Sequence, residues 1–175
     1  AEVNDRDIEL GRLAAAFHDV IQDWKEEVVS ASDGKLTKVM RKRHLGQNEA
    51  ASVNEAIECM REANKESGEE IFRDEEMEKV GEAILATVPD FKVLNPEEKD
   101  PSKRVSTVIQ PALTENSSFI ARAVALADLG SAGMGGKESF RRDGDTLFRE
   151  ENLDVLDALK DPKNLSDEQK EFFRS

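Results

Sequence analysis

The sequence predicts an all-α protein, a helical bundle, and three observations lead there. Apolar residues recur at helical rather than alternating spacing along most of the chain. Charged residues occupy 36% of the 175 positions and aromatic residues only 5%, a profile of helices with heavily solvated outer faces. Residues that start helices stand ahead of several periodic stretches. A chain of this length can bury one real core and shows no second compositional regime, so residues 1–175 read as a single domain.

The elements follow in order. Residues 5–29 read as the first helix, with Ile8, Leu13, Phe17, Val20, Ile21 and Trp24 on one stripe and His18 and Asp19 pointing away from it. Ala14, Ala15 and Ala16 put no charge on any face of the turn before His18, which fits a central helix packed on both sides. Residues 30–47, rich in Lys and Arg, read as a connector, with His44 a loop histidine on a basic surface. A helix over 48–65 starts at Asn48-Glu49, where an acid is favoured by the helix dipole, and its Cys59 reads as a packing residue. A third helix, 74–88, starts at Asp74, and Asn95 to Arg104, with Pro96 and Pro101, reads as an exposed loop.

Thr114 precedes a helix over 115–130, whose apolar run Ile120–Leu129 is interrupted by Arg122 and Asp128. Gly130 to Gly136 lacks the preceding strand and the closing Lys-Ser or Lys-Thr of a phosphate-binding loop, and reads as a sharp turn. Two further helices are predicted at 145–160 and 166–174, the last with Ser166 and Gln169 as a capping box. The spacing of Leu153, Leu156 and Leu159, continuing to Phe172 and Phe173, fits the domain's own last core face or a surface for a second subunit, so a homo-oligomer stays open. The helical pattern runs to Ser175, and the expectation is a chain truncated at both ends.

Charge narrows the partners. A net charge of −13 opposes a nucleic-acid polymer and an anionic membrane through long-range repulsion. No apolar run approaches the roughly 18 residues of a membrane span, and no signal-peptide pattern opens the chain. The single cysteine precludes an internal disulfide, so a cytoplasmic setting is expected.

The informative polar residues are His18-Asp19 and Asp128, each embedded in an apolar stretch. A buried carboxylate or imidazole costs several kcal/mol unless paired, hydrogen-bonded or metal-bound, so two such segments in one domain ask for a shared partner. One nitrogen and two carboxylate donors suit a divalent metal ion such as Mn, Mg, Fe or Zn. With only two histidines in the chain, one cation is expected rather than two. The structural alternatives are a core histidine hydrogen-bonded at a helix end, and an Asp128 paired with Arg122 or Arg149. Downstream, Lys137, Arg141, Arg142 and Arg149 are candidates to clamp a phosphate through charge-assisted hydrogen bonds.

Several segments then fall in a familiar order. Phe17-His18-Asp19-Val20, Asn48-Glu49-Ala50-Ala51-Ser52, Ala83-Ile84-Leu85-Ala86-Thr87, and Leu126-Ala127-Asp128-Leu129 followed by Phe140 and Arg149-Glu150 resemble the HD superfamily of metal-dependent phosphohydrolases, in particular a small single-domain branch of predicted phosphohydrolases. The resemblance spans residues 8–151 and implies an HD-domain-like helical bundle. It implies a cation held by His18, Asp19 and Asp128, with Asp19 and Glu49 as the groups acting on its water. It implies hydrolysis of a small phosphorylated substrate, nucleotides among the candidates. The family pattern includes a further upstream His; no residue ahead of His18 is a histidine, so this ligand is expected before Ala1. Thr87-Val88-Pro89-Asp90 likewise stands where the branch tends to carry a histidine. The alternative is an HD-like module that binds a nucleotide or metal with impaired catalysis.

Overall fold

The computed structural model describes residues 3–30, 37–100, 103–134 and 136–151. Their order is α1 (Asp5–Phe17), β1 (Trp24–Ser30), β2 (Thr37–Arg43), α2 (Gln47–Ser67), α3 (Asp74–Leu85), β3 (Asp90–Val93), β4 (Ser106–Ile109), α4 (Phe119–Met134) and α5 (Gly136–Glu151). The chain is mainly helical, but the all-α expectation is corrected by two antiparallel hairpins, β1–β2 and β3–β4. It divides into two compact units, Ala1–Gln22 with Leu45–Ser131, and Asp23–His44 with Ala132–Ser175.

In the first unit α1 begins at Asn4, whose side chain accepts the Asp7 N–H at 2.8 Å while the Asp7 carboxylate accepts the Asn4 N–H at 3.4 Å. This reciprocal cap satisfies two amides that the first turn would leave open. The buried face of α1 is Leu10 and Ala14, with Leu13 and Phe17 packed beside them. Ile8 and Val20, expected on that face, are exposed. The difference is one of phase: a stripe drawn through 10, 13, 14 and 17 rotates Ile8 outwards, and Val20 lies beyond the helix.

Helix α2 starts behind Gly46, whose positive φ of 79° suits a residue without Cβ. The Gly46 N–H donates to Glu49 Oε2 at 2.6 Å, so the acid expected at this helix start is a cap. Glu49→Ala is expected to cost about 1 kcal/mol, measured by urea denaturation; a loss within error of zero would refute the capping role. Ser52, Ala56 and Met60 recur every four residues on the buried face, while Cys59 is exposed, which corrects its reading as a packing residue. Helix α2 ends at Gly68, again at positive φ, with the Gly68 N–H on the Asn64 carbonyl.

Helix α3 packs against both α1 and α2. A Cβ on its Gly81 would come within 3.2 Å of Val53 Cγ1, so the two helices approach closely only because that position has no side chain. Met77, Val80, Ala83 and Ile84 of α3 join Ile120, Ala121, Val124 and Ala125 of α4 in one core. The β3–β4 hairpin pairs Asp90 with Ile109 and Val93 with Ser106. Its loop is closed by Asn95, which accepts the Val105 N–H at 2.7 Å and donates to the Lys103 carbonyl at 3.1 Å.

In the second unit β1 and β2 pair from Trp24 with Arg43 to Ser30 with Thr37. The Arg43 guanidinium lies over the Trp24 ring, 5.1 Å from its centroid. Arg41 faces Glu26 at 3.6 Å, and α5 lies against β2. The expected helix over 5–29 therefore ends at Phe17, and Thr37–Arg43 of the expected connector 30–47 is a strand. Helix α4 runs through Gly130 to Met134, where a turn is expected, and α5 begins at Gly136. No helix among the described residues is long and apolar enough to cross a membrane. The expected capping box at Ser166 and Gln169, and the stripe from Leu153 to Phe173, lie outside the described residues.

Candidate metal centre

The end of α1 creates the site. In a continuing helix the Ile21 N–H would bond to the Phe17 carbonyl. Here the Val20 N–H takes that carbonyl at 3.1 Å, and the Ile21 N–H donates to Ser52 Oγ on α2 at 3.1 Å. A side-chain acceptor from another helix thus captures the amide needed for the next turn. His18 becomes the C-cap, its N–H still on the Ala14 carbonyl at 2.9 Å, and Asp19 falls in the turn beyond.

Asp128 comes from α4, one turn after Val124 and Ala125 on the same buried face. Its Oδ1 lies 3.5 Å from His18 Nε2, and Asp19 Oδ2 lies 3.6 Å from the same nitrogen. The structure therefore brings His18, Asp19 and Asp128 together. The side chains of His18 and Asp128 are 24% and 33% exposed and that of Asp19 is 45% exposed, a gradient that opens the group to solvent on the Asp19 side. Arg122, the sequence alternative as a partner for Asp128, donates to the Glu115 carbonyl.

His18 Nδ1 lies 2.8 Å from the Ala15 carbonyl. A carbonyl only accepts, so Nδ1 carries a proton and Nε2 is the nitrogen presented to the two carboxylates. The hydrogen bond with Asp128 is the largest cause that raises the His18 pKa to about 9; burial opposes it, and the Ala15 carbonyl and the charges of Asp19 and Asp128 add to it. Without a cation the ring is an imidazolium at neutral pH. Because the folded pKa lies above the ordinary 6.5, this pairing stabilises the fold fully below about pH 6.5 and is lost as pH rises through about 9.

Among the described residues no group of three or more His, Cys, Asp or Glu side chains is in place to hold a metal ion. The donor chemistry nevertheless fits one: an imidazole nitrogen oriented by a backbone carbonyl, with two carboxylates around it. Donors bound at about 2.1 Å stand roughly 3.0–3.4 Å apart in octahedral or tetrahedral spheres, so the observed spacings would have to close by a few tenths of an ångström.

Glu49 is buried at the start of α2 and engaged with Gly46, one turn before Ser52. Lys137 and Arg141 are exposed on α5, in the second unit, where Arg142 donates to Ser139 Oγ at 3.1 Å. Arg149 lies on α5, and its side chain is outside the described ones. His44 is half-buried in the second unit, its N–H on the Asp23 carbonyl at 3.3 Å. Two residues to which the sequence reading attached no role support the group: Ser52, and Gln110, whose Nε2 donates to the Ala125 carbonyl on α4 at 3.0 Å. Ser52 had a signal, a hydroxyl at a core position four residues before Ala56; Gln110 had none.

Comparison with protein-family models, with curated proteins and with solved structures finds no match to this chain.

Proposed function

We propose that the chain is a metal-dependent phosphohydrolase of the HD type acting on a small phosphate ester, nucleotides among the candidates. The observation that supports this reading is the meeting of His18 Nε2 with the carboxylates of Asp19 and Asp128, with Nδ1 tied to the Ala15 carbonyl. A divalent cation supplies Lewis acidity towards a phosphoryl oxygen and a water that is nucleophilic near neutral pH. His18 would offer the Nε2 lone pair, in the tautomer that its Nδ1–H donation selects. The two carboxylates would balance the charge of a dication. Asp19, more exposed than Asp128, is the candidate to take a proton from solvent water, with Glu49 the second candidate. Lys137, Arg141 and Arg149, the cations expected to neutralise phosphate charge, belong to the second unit. A cytoplasmic setting belongs to the same proposal.

The test is elemental analysis of purified protein after incubation with Mn, Mg, Fe or Zn, beside a His18→Ala, Asp19→Ala control. About one equivalent in the parent and none in the control is the expected result for a single-cation site. Equal occupancy of both, or none in either, would overturn the assignment.

A second reading is an HD-like module that binds a metal or nucleotide without turnover. It is favoured by the present closure of the group as ion pairs, with His18 Nε2 facing both carboxylates. Metal bound without hydrolysis across a broad phosphate panel selects it.

A further inference from the structure

We propose that Ser52 and Gln110 are positioning residues for this centre, Ser52 for the His18–Asp19 half and Gln110 for the Asp128 half. The inference rests on the metal-site reading above and adds to it the groups that set the spacing of its donors.

The two halves arrive on different elements. His18 and Asp19 leave the end of α1, where the last backbone hydrogen bond is the Val20 N–H on the Phe17 carbonyl, and a free helix end frays within its last turn. The amide of Ile21, two residues after Asp19, is fixed instead by Ser52 Oγ across 31 positions of sequence. Ser52 is fully buried on the inner face of α2, which carries Ala56 and Met60 of the core, so its hydroxyl is anchored to a packed helix. The tether thus holds the turn bearing Asp19 against α2 from one side, while the His18 N–H on the Ala14 carbonyl holds it from the other.

Asp128 has a corresponding tether. Gln110, the residue after β4, reaches the Ala125 carbonyl three residues before Asp128. That bond lies on the helix turn leading to the carboxylate, and it joins α4 to the β3–β4 hairpin across 15 positions. Neither Ser52 nor Gln110 is in contact with His18 through any hydrogen bond described above, and neither would touch the cation. Both act through backbone, on the placement of the two carboxylates that lie 3.5 and 3.6 Å from His18 Nε2. A small loss of placement therefore has a large effect on affinity.

The test is Mn2+ binding by titration calorimetry and electron paramagnetic resonance on the full chain, for the parent, Ser52→Ala, Gln110→Leu and an Ile57→Val control. Ile57 packs against the core from the same helix as Ser52, so its truncation reports on stability alone. The expected result is a roughly ten- to a hundredfold weaker Mn2+ affinity in Ser52→Ala and in Gln110→Leu, with a broadened bound-Mn2+ spectrum. Ile57→Val should lower the denaturation midpoint and leave affinity and spectrum unchanged. A parent that binds Mn2+ together with variants of equal affinity overturns the positioning roles alone. A parent that binds no Mn2+ overturns the metal-site reading and this inference with it. Should Ser52→Ala fail to fold, Gln110→Leu, at a partly buried surface position, decides the matter by the same two readouts.

Discussion

Asp128→Asn is expected to abolish metal retention and to lower kcat/KM on a phosphate ester by on the order of a thousandfold, about 4 kcal/mol of transition-state stabilisation. Asparagine keeps the shape of the side chain and its place on the inner face of α4, so the change removes charge rather than packing. Three consequences should arrive together. Bound metal disappears from elemental analysis, turnover falls, and the metal-free protein loses the stabilising interaction with His18. The last has a distinctive pH signature. In the metal-free parent the His18 pairing, with its pKa raised to about 9 first by the Asp128 hydrogen bond, makes stability fall as pH climbs from about 6.5 through 9. In Asp128→Asn that decline should be much shallower. Urea denaturation of both proteins at several pH values, with metal removed by chelation, checks it. Full turnover with normal metal content in Asp128→Asn would refute the site.

The second large effect concerns stability alone. Arg6→Ala is expected to destabilise the fold by about 3 kcal/mol, near the lower end for breaking a buried ion pair because Arg6 itself is partly exposed. The Arg6 guanidinium meets Glu76 through two bonds, Nε to Oε1 at 2.8 Å and Nη2 to Oε2 at 3.1 Å. It also donates to the Ile71 carbonyl at 2.6 Å and stacks over the Phe72 ring at 5.0 Å. One side chain near the start of α1 thus binds the segment that leads into α3. Glu76 in turn accepts the Arg73 N–H at 3.0 Å, so it also caps that helix. Truncating Arg6 leaves a buried carboxylate short of its principal cation, and the midpoint of thermal unfolding should drop by roughly 10 °C.

The same pair makes the acid limb of stability testable. Bonding to Arg6, foremost among its causes, lowers the Glu76 pKa from 4.5 to about 2; burial opposes this, and Arg73 reinforces it. A depressed carboxylate pKa stabilises the fold above about pH 4.5, and that contribution is lost as pH falls through about 2. The parent should therefore lose stability over this window more steeply than Arg6→Ala. Parallel acid limbs, or a loss below about 1 kcal/mol at neutral pH, would show that the clamp is of little consequence.

Much of the site was legible in the chain because its chemistry is local. His18-Asp19 and Asp128 stand out as polar residues within apolar runs, and such residues need partners wherever the chain folds. Helices α2 and α3 were legible for a similar reason, since Asn48-Glu49 and Asp74 mark starts near the observed ones, whereas α4 begins at Phe119, a turn beyond the start expected after Thr114, with Ser118 Oγ accepting the Ala121 N–H. The capping role of Glu49 was half visible, as an acid favoured at a helix start; its bond to Gly46 identifies the amide it serves.

The hairpin β1–β2 was not legible in this way. Trp24, Val28, Val29 and Val39 favour strands, but Lys25, Glu26, Glu27 and Lys38 serve helices equally well, so the local pattern admits both. Asp33-Gly34, between the two strands in sequence, is a dipeptide of hairpin type and was the available signal. The pairing of Trp24 with Arg43 and of Glu26 with Arg41 decides for the ladder, and those partners are many residues apart. Glycines at 130 and 133 were equally ambiguous, because glycine lowers helix propensity by about 1 kcal/mol without forbidding a helix that tertiary packing supports.

By itself, then, the sequence determined that the protein is mainly helical, roughly where α2 and α3 begin, and that a histidine and two aspartates need a common partner. The physical reason is that helical periodicity and the cost of burying charge act within a few residues. Only the tertiary structure decided where α1 stops. Ser52, on another helix, captures the Ile21 amide that would have continued it, and that competition turns His18 and Asp19 from a helix face into a corner facing Asp128.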